Sequence, residues 1–294
     1  MRRRAEVVGA TWRQLRRKTA EAIADPVQTT WLLEEASGFD GARLLRELDS
    51  QAPPGAAARL ESLVQRRLSG EPLQHVLGHW GFRELDVAVD SRVLVPRPET
   101  EVVVSVALSE VDRLHALRAG SEMLVVDLGT GSGVIALSLA LERATVRVIA
   151  TDRDPAALDL AAVNLSGIPI EAAARVQFRQ GDWYQALPLD LAGQVALIVA
   201  NPPYLAEHEW AGLDPTVRGF DPFGALVAGP SGLEAIEAIV AGAPAWLCRR
   251  GALVVEIAPD QARPVLELAR EAGFPRANVE DDLAGRPRVL VAEQ

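Results

Sequence analysis

The segment 123–152 constrains the fold of this chain more than any other part of the sequence. An apolar run over 123–127 leads into the loop Leu128-Gly129-Thr130-Gly131-Ser132-Gly133, and an apolar helical stretch follows over 134–141. A second apolar run over 146–151 ends at an aspartate. This order predicts a strand, a glycine turn, a helix and a second strand. Parallel neighbours require such a crossover, so the segment indicates an α/β protein with a parallel sheet.

The glycine turn predicts a nucleoside-type cofactor. Gly129, Gly131 and Gly133 let the backbone approach a ligand closely. Asp152, nineteen residues after Gly133, can accept hydrogen bonds from both hydroxyls of a ribose. In the dinucleotide fingerprint the third glycine follows the second by three residues, so that the helix start can face a pyrophosphate. Here the glycines alternate. With Asp127 ahead of them, they resemble the first motif of S-adenosylmethionine-dependent methyltransferases, which bind no diphosphate.

A second candidate site is Asn201-Pro202-Pro203-Tyr204, which follows a buried-strand pattern over 195–200. Two consecutive prolines must end the strand, and ligands of open α/β sheets bind beyond the carboxyl ends of strands. Asn201 and the Pro202 carbonyl can accept two hydrogen bonds from a planar –NH2 group while Tyr204 packs against it. The same four residues are equally typical of a turn that only ends a strand.

A third predicted strand, over 175–179, ends at Gly181-Asp182-Trp183. Asp182 can accept a hydrogen bond from an adenine amino group, and Trp183 can cover the ring. A tryptophan at such a position is nearly as typical of simple packing.

The N-terminal part of the chain is predicted to be helical. Leucines recur at helical spacing between residues 11 and 69, and Pro and Gly pairs divide them into short helices. Segments 81–89 and 93–95 predict two strands of a hairpin. Thr100 is predicted to cap the next helix, with Glu99 and Glu101 either complementing the helix dipole or lining a site.

The sequence after that helix alternates strands and helices to its end, with a last strand pair near 278–280 and 288–291. We therefore expect three parts: a small all-α domain over 1–78, a β-hairpin linker over 79–98, and a Rossmann-like α/β domain with a parallel-rich sheet over 99–294. Residues 219–226 are expected to form a loop that closes the pocket.

Composition narrows the range of possible functions. The 294 residues are 49% apolar and 24% charged, as in globular proteins, and the net charge of −10 weakens the case for a nucleic-acid substrate. Cys248 is the only cysteine, which favours a reducing compartment. Four scattered histidines predict no metal site, and we expect neither a signal peptide nor a membrane span.

Four stretches in one order carry a family resemblance: Gly-Glu-Pro-Leu-Gln-His at 70–75, Val-Pro-Arg-Pro-Glu-Thr-Glu at 95–101, the loop at 127–133 and the tetrapeptide at 201–204. Nearly the whole chain resembles the release factor glutamine methyltransferases, protein (glutamine-N5) enzymes that use S-adenosylmethionine. It departs at Gly81-Phe82-Arg83-Glu84 and at Glu256-Ile257-Ala258, both of which are expected to lie away from the chemistry.

The resemblance implies a class I methyltransferase domain, S-adenosylmethionine as cofactor and peptide-chain release factors as protein substrates. It further implies a cytoplasmic protein, expected to be monomeric, with no direct contact to nucleic acid or membrane. Cofactor-binding residues would be Asp127, the loop from Gly129 to Gly133 with Thr130 and Ser132, Asp152, Asp182, Trp183 and Asn201. Substrate would be held by Arg97, Glu99 and the tetrapeptide Asn201, Pro202, Pro203 and Tyr204, with Asn201, Pro202 and Tyr204 catalytic.

Two other functions stay open. The first is an adenine-N6 nucleic-acid methyltransferase, whose target base presents the same –NH2 geometry. Such an enzyme would need a basic cleft and a means of extruding the base. A non-catalytic module that binds cofactor and acts through its helical domain is the other alternative.

Overall fold

The computed structural model describes residues 9–117 and 122–294, and the first eight residues of the predicted helical domain lie outside it. The chain divides into two compact units. The first comprises the residues up to Gly78 together with Pro215–Phe220, and the second comprises His79–Asp214 and Asp221–Gln294.

The first unit contains the predicted short helices. They are α1 (Trp12–Ile23), α2 (Pro26–Ser37), α3 (Gly41–Arg46), α4 (Pro54–Leu68) and α5 (Leu73–Leu77). Thr11, Asp25 and Asp40 cap the first three, each accepting a hydrogen bond from a backbone amide of the first turn. Trp12 and Leu32 form a buried core within this unit together with Leu60 and Leu63 of α4.

The predicted hairpin is present, but its strand limits were wrong. The strands are β1 (His79–Phe82) and β2 (Leu85–Ala88), joined by a turn in which Arg83 has a φ of 50°. Residues 93–95 form no strand. Phe82, Leu85 and Val87 are all buried in one core, so the apolar pattern continues through the turn and resembles a single strand. Val93 and Val95 are buried in irregular backbone, which produces the same pattern.

A seven-stranded sheet forms the centre of the second unit, in the order β10-β11-β9-β6-β3-β4-β5. All its pairings are parallel except those of β11. A further short parallel pair joins β7 to β8. The strands are β3 (Met123–Leu128), β4 (Val146–Asp152), β5 (Val176–Gln180), β6 (Val195–Ala200), β7 (Leu205–Ala206), β8 (Val227–Gly229), β9 (Leu247–Glu256), β10 (Arg276–Asp281) and β11 (Pro287–Glu293).

Helices cover both faces of this sheet, and its mostly parallel pairing confirms the predicted Rossmann-like α/β fold. Side chains alternate between two cores: Val125 belongs to the core that includes the hairpin, and Val126 belongs to the opposite core. The helices of the chain after the hairpin are α6 (Pro98–Leu117), α7 (Val134–Glu142), α8 (Pro155–Leu165), α9 (Ile170–Ala173), α10 (Pro215–Phe220), α11 (Phe223–Leu226), α12 (Glu234–Trp246) and α13 (Ala262–Glu271). Short 3₁₀ turns occur at Trp183–Ala186, Leu189–Leu191, Glu207–Gly212 and Pro259–Gln261.

The segment 219–226, predicted as a loop, contains the end of α10 and all of α11. Pro215 and Pro222 stand at the starts of these short helices, where a missing N–H costs no hydrogen bond. None of the described helices has the length and hydrophobicity that crossing a membrane requires.

The sheet order places a crevice at the carboxyl ends of β3 and β6. From β3 the chain adds β4 and β5 on one side, and then returns to add β6 on the other side. Connections therefore leave this edge in opposite directions, which opens the crevice where α/β proteins bind ligands. The glycine loop after β3 and Asn201 after β6 both begin there.

Asn164, near the end of α8, joins the hairpin to the glycine loop. Its Oδ1 accepts a hydrogen bond from Ala88 N at 2.7 Å, and its Nδ2 donates to Ser132 O at 2.9 Å and to Ala88 O at 3.2 Å. The side chain is buried, so these backbone groups depend on it for their partners.

We expect Asn164→Ala to lower the free energy of unfolding by about 1–3 kcal/mol, because buried backbone groups lose their partners. Urea titration followed by circular dichroism measures this change. Val163→Ala, at the exposed neighbouring position of the same helix, is the control and should change stability by less than about 0.5 kcal/mol. Equal effects of the two substitutions would contradict the structural role of Asn164.

Candidate functional site

The glycine loop adopts backbone conformations that other residues rarely adopt. Gly129, Gly131 and Gly133 have φ values of 73°, 54° and 87°. A Cβ on Gly129 would lie 3.3 Å from the Trp183 ring, whereas the space beside Gly131 is open for at least 4 Å. Gly131 is thus the point where a ligand can come nearest to the backbone.

Asp152 holds the glycine loop against the end of β4. Its Oδ2 accepts a hydrogen bond from Gly131 N at 2.9 Å, and its Oδ1 accepts one from Asp154 N at 3.0 Å. Burial raises the pKa of the Asp152 carboxyl, and the two backbone bonds oppose that shift. Each oxygen keeps a second lone pair, so the carboxylate can still accept hydrogen bonds from a ligand.

Asp127 lies beneath the loop and is fully buried. Its Oδ2 accepts hydrogen bonds from Thr130 Oγ1 at 2.6 Å and from Ala136 N at 3.2 Å, while its Oδ1 has no hydrogen-bond partner among the described residues. Burial raises the pKa of this carboxyl to about 7, and the bonds from Thr130 and Ala136 oppose the rise. A buried carboxylate oxygen without a partner is a place where a cationic or hydrogen-bonding ligand group would be stabilised.

One cavity of about 420 Å³ brings most of the predicted site residues together. Those in its wall are Arg97, Gly129, Thr130, Gly131, Ser132, Asp152, Asp182, Trp183, Asn201 and Pro203. The predicted residues outside its wall are Glu99, Asp127, Gly133, Pro202 and Tyr204. Among the described residues, no group of three or more His, Cys, Asp or Glu side chains could hold a metal ion.

Trp183 covers one side of the glycine loop. Its backbone has a φ of 43°, a left-handed conformation that is strained for a non-glycine residue, and its indole edge faces Gly129. The ring also packs against the core between the sheet and α12. The two alternatives raised by the sequence, packing and lining the site, therefore both apply to this side chain.

Asn201 is fixed by a hydrogen bond through its amide nitrogen. Nδ2 donates to Thr100 Oγ1 at 3.0 Å, and that hydroxyl donates to Glu256 Oε2 at 2.8 Å. The Asn201 carbonyl oxygen, Oδ1, is consequently the end of the amide that can serve a ligand. The prediction that Thr100 caps α6 was wrong, because α6 begins at Pro98 and places Thr100 within its first turn.

Tyr204 is held by contacts away from the cavity wall. Its backbone oxygen accepts a hydrogen bond from Gln261 Nε2 at 3.0 Å, and its ring packs against the core on the α12 side of the sheet. Burial raises the pKa of the Tyr204 phenol to about 12, so the hydroxyl stays protonated at neutral pH.

The two charged site candidates at the start of α6, Arg97 and Glu99, have different partners. Arg97 Nη2 pairs with Asp221 Oδ2 at 2.7 Å, and that carboxyl is almost completely buried. Glu99 Oε1 instead accepts a hydrogen bond from Arg286 at 3.2 Å. Arg97 thereby ties one wall of the cavity to the chain just before α11, whereas Glu99 faces the end of the sheet that carries β11.

Sequence reasoning assigned no site role to Thr100 and placed Glu256 away from the chemistry. The structure connects both to Asn201 through buried side chains. A signal for Glu256 was present, since this acid follows an apolar run over 252–255, as Asp127 and Asp152 follow the apolar runs before them.

Comparison with solved structures identifies the fold. The human METTL16 catalytic domain, solved in complex with the MAT2A 3′UTR hairpin 1, aligns with a TM-score of 0.53 at 16% identity, covering 81% of this chain and 79% of that one. The N-terminal domain of human METTL16 in complex with SAH gives a TM-score of 0.51 at 15% identity, covering 84% of each chain. These likenesses place the second unit in the class I methyltransferase fold.

Sequence comparisons are more specific. The PrmC N-terminal domain model matches residues 11–78, and the methyltransferase small domain model matches residues 111–213. Release factor glutamine methyltransferases from three bacteria align over most of both chains. That of Xylella fastidiosa strain 9a5c is 42% identical, over 88% of this chain and 90% of its own. That of Cereibacter sphaeroides is 41% identical, over 89% and 88%. That of Moorella thermoacetica is 39% identical, over 95% of both. With this extent of identity joined to a methyltransferase fold and an Asn201 site beside the glycine loop, the chain belongs to the release factor glutamine methyltransferases.

Proposed function

We propose that this enzyme transfers the methyl group of S-adenosylmethionine to the side-chain nitrogen, N5, of the glutamine in the Gly-Gly-Gln motif of peptide-chain release factors. The observation that carries the proposal is the orientation of Asn201. Its amide nitrogen is bonded to Thr100, so its carbonyl oxygen is the acceptor beside the cavity shared with the glycine loop. Such an acceptor suits an N–H donor.

The cavity suits S-adenosylmethionine, which would supply an electrophilic methyl group on a sulfonium. We assign the ribose hydroxyls to Asp152 and the adenine to Asp182 and Trp183. The open space at Gly131 admits the ligand. Asp127, buried beneath the loop and outside the cavity wall, would act on the cofactor through Thr130, whose hydroxyl it orients. Thr130 and Ser132 complete the loop around the ligand.

The acceptor nitrogen of a glutamine is a weak nucleophile because its lone pair is delocalised into the carbonyl. We propose that Asn201 Oδ1 and the Pro202 carbonyl accept its two N–H bonds, with Pro203 and Tyr204 fixing the turn that presents them. Holding both hydrogens orients the nitrogen towards the methyl group and favours a less conjugated geometry. Bound S-adenosylmethionine would supply the methyl group and leave as the neutral thioether, and the methylated nitrogen would lose its proton to solvent. Catalysis then consists mainly of positioning and preorganised electrostatics.

We assign the rest of the chain by the same argument. The helical domain over 1–78 would recognise the release factor, the hairpin over 79–98 would link it to the catalytic domain over 99–294, and Arg97 would contact the substrate. The net charge of −10 favours a protein over a polyanionic substrate. Because the proposed substrate belongs to the translation apparatus, we expect the enzyme to act in the cytoplasm, and to act there as a monomer.

The direct test uses labelled S-adenosylmethionine with a release factor, a Gly-Gly-Gln peptide and an adenine-containing oligonucleotide in separate reactions. Fragment mass spectra should place one methyl group on the glutamine side chain. A methyl group on adenine, or binding of cofactor without transfer to any of the three, would refute the proposal and favour one of the two alternative functions.

Asp152→Ala should weaken cofactor binding at least tenfold, because charge-assisted hydrogen bonds are worth about 1.5–3 kcal/mol each. Isothermal titration calorimetry with S-adenosylmethionine gives the affinity. Asp159→Ala removes an exposed carboxylate from the helix that follows and should bind as the wild type does. Equal affinities of the two variants would remove Asp152 from the cofactor site.

Asn201→Ala should lower kcat on the peptide by about 10²–10³, the usual cost of one lost positioning contact at the reacting group. Cofactor affinity should change little, since the glycine loop and Asp152 are untouched. Asn278→Ala, which removes an exposed asparagine from β10, is the control and should keep full activity. Full activity of Asn201→Ala would disprove the proposed role of its carbonyl oxygen.

Deleting residues 1–78 should reduce methylation of an intact release factor much more than methylation of a short Gly-Gly-Gln peptide. The reason is that residues 9–78, the part of the helical domain that the structure describes, contribute nothing to the cavity wall, so the loss should fall on docking of the protein substrate. Unchanged cofactor affinity, measured by calorimetry, serves as the control for folding. Equal losses on both substrates would argue against a recognition role.

A further inference from the structure

Two buried polar side chains and one half-buried side chain, from distant parts of the chain, form a continuous hydrogen-bonded series. Glu256 ends β9, Thr100 lies in the first turn of α6, and Asn201 follows β6. Glu256 is 1% exposed and Thr100 is 2% exposed. The bonds run from Asn201 Nδ2 to Thr100 Oγ1 at 3.0 Å and from Thr100 Oγ1 to Glu256 Oε2 at 2.8 Å.

The direction of both hydrogen bonds follows from which of these groups can donate and which can only accept. An ionised carboxylate only accepts, and a threonine hydroxyl has a single proton to donate. When Thr100 donates to Glu256, its lone pairs must accept from the neighbouring amide. Asn201 then has to present its –NH2 group to Thr100, and its carbonyl oxygen is turned towards the other side.

We propose that Glu256, acting through Thr100, is a positioning residue that fixes the amide orientation of Asn201 and so makes the site select a glutamine side chain over the isosteric glutamate. The inference rests on the proposed function, in which the Asn201 carbonyl accepts an N–H of the target amide. Glu256 itself touches neither substrate nor cofactor in this account.

Selection follows from the two orientations open to an asparagine. With the carbonyl facing the substrate, an –NH2 group finds an acceptor, whereas a carboxylate meets a second oxygen and is repelled. After a half-turn of the amide, the –NH2 groups of Asn201 and of the glutamine would face each other, and a carboxylate would be bound instead. Locking one orientation therefore combines attraction for the right group with repulsion of the wrong one.

Charged and titratable groups from several elements surround Glu256. Arg97 and Glu99 lie before and within α6, Tyr204 follows β6, and Arg288 belongs to β11. Burial raises the pKa of the Glu256 carboxyl to about 7, Glu99 adds to the rise, and the Thr100 bond and the two arginines oppose it. A protonated Glu256 can itself donate to Thr100, which frees the hydroxyl proton to turn towards Asn201. The orienting form is the ionised one, so kcat should rise with pH through this pKa.

The test measures kcat on a Gly-Gly-Gln peptide, at saturating peptide and cofactor, between pH 6 and pH 8, so that the profile reports groups of the enzyme–substrate complex. Glu256→Gln no longer fixes the direction of the hydrogen bond to Thr100, because the glutamine amide can either donate to the hydroxyl or accept from it. We expect its kcat at pH 8 to be at least tenfold lower than that of the wild type, with the decline of kcat at acidic pH abolished. The affinity of this variant for cofactor should be unchanged. This measurement separates Glu256 from Asp127, whose pKa is also about 7 but which lies beneath the cofactor-binding loop.

Two substitutions at Thr100 serve as a matched pair if Glu256→Gln folds poorly. Thr100→Val keeps the shape and removes the hydroxyl, and it should lose at least tenfold in kcat. Thr100→Ser keeps the hydroxyl and should recover most of that loss. A Gly-Gly-Glu peptide used as an inhibitor adds a direct readout of selection: its affinity relative to the glutamine peptide should rise at least fivefold in both Glu256→Gln and Thr100→Val.

The outcomes separate this inference from the function on which it rests. If the wild type fails to methylate the peptide and the release factor, the proposed function itself is refuted. Suppose instead that the wild type is active. If Glu256→Gln then retains the wild-type kcat, the decline of kcat at acidic pH or the discrimination against the glutamate peptide, only the positioning role is refuted. Equal activity of Thr100→Val and Thr100→Ser would refute it as well.

Discussion

The parallel pairing of β3 with β6 is the constraint on which the site depends. Their register places Leu128 beside Ala200, so the residues that follow each strand begin at the same height on one edge of the sheet. The glycine loop and Asn201 are about 70 residues apart in sequence, yet they meet because the two buried strands pair side by side in this register. The cofactor loop and the acceptor site are thus aligned by the pairing of two strands in the core of the sheet.

Polar groups then fix the details of that edge. Asp127, Asp152 and Glu256 lie at or next to the carboxyl ends of strands, and each accepts a hydrogen bond from a neighbouring turn or helix start. Burying carboxylates is costly, and burial accordingly raises the pKa of all three. Such groups are retained where their acceptor capacity has a use. Here they organise the loop, its anchoring to β4, and Asn201.

The strands that place the site were predictable, because each is a continuous apolar run ended by a polar residue or by prolines. β6 was predicted at its observed limits, and β3 to within a residue. The turn of the hairpin was missed because Arg83 takes a left-handed backbone where a glycine would have signalled it. Its guanidinium bonds to Glu142 and Ser105 offset that strain. The Thr100 contacts span 101 and 156 residues, and no local pattern in the sequence encodes which distant side chain a buried hydroxyl will meet.

The contact between Gly129 and Trp183 restricts how this chain can vary. A Cβ at position 129 and the indole at position 183 would compete for the same space, and both residues already have left-handed backbones. A larger residue at 129 would need the indole to move by a few tenths of an ångström and would also have to adopt a left-handed backbone with a φ of 73°. A smaller side chain at 183 relieves only the first of these two costs, so the effect of a substitution at 129 should depend on the residue at 183 without ever becoming neutral.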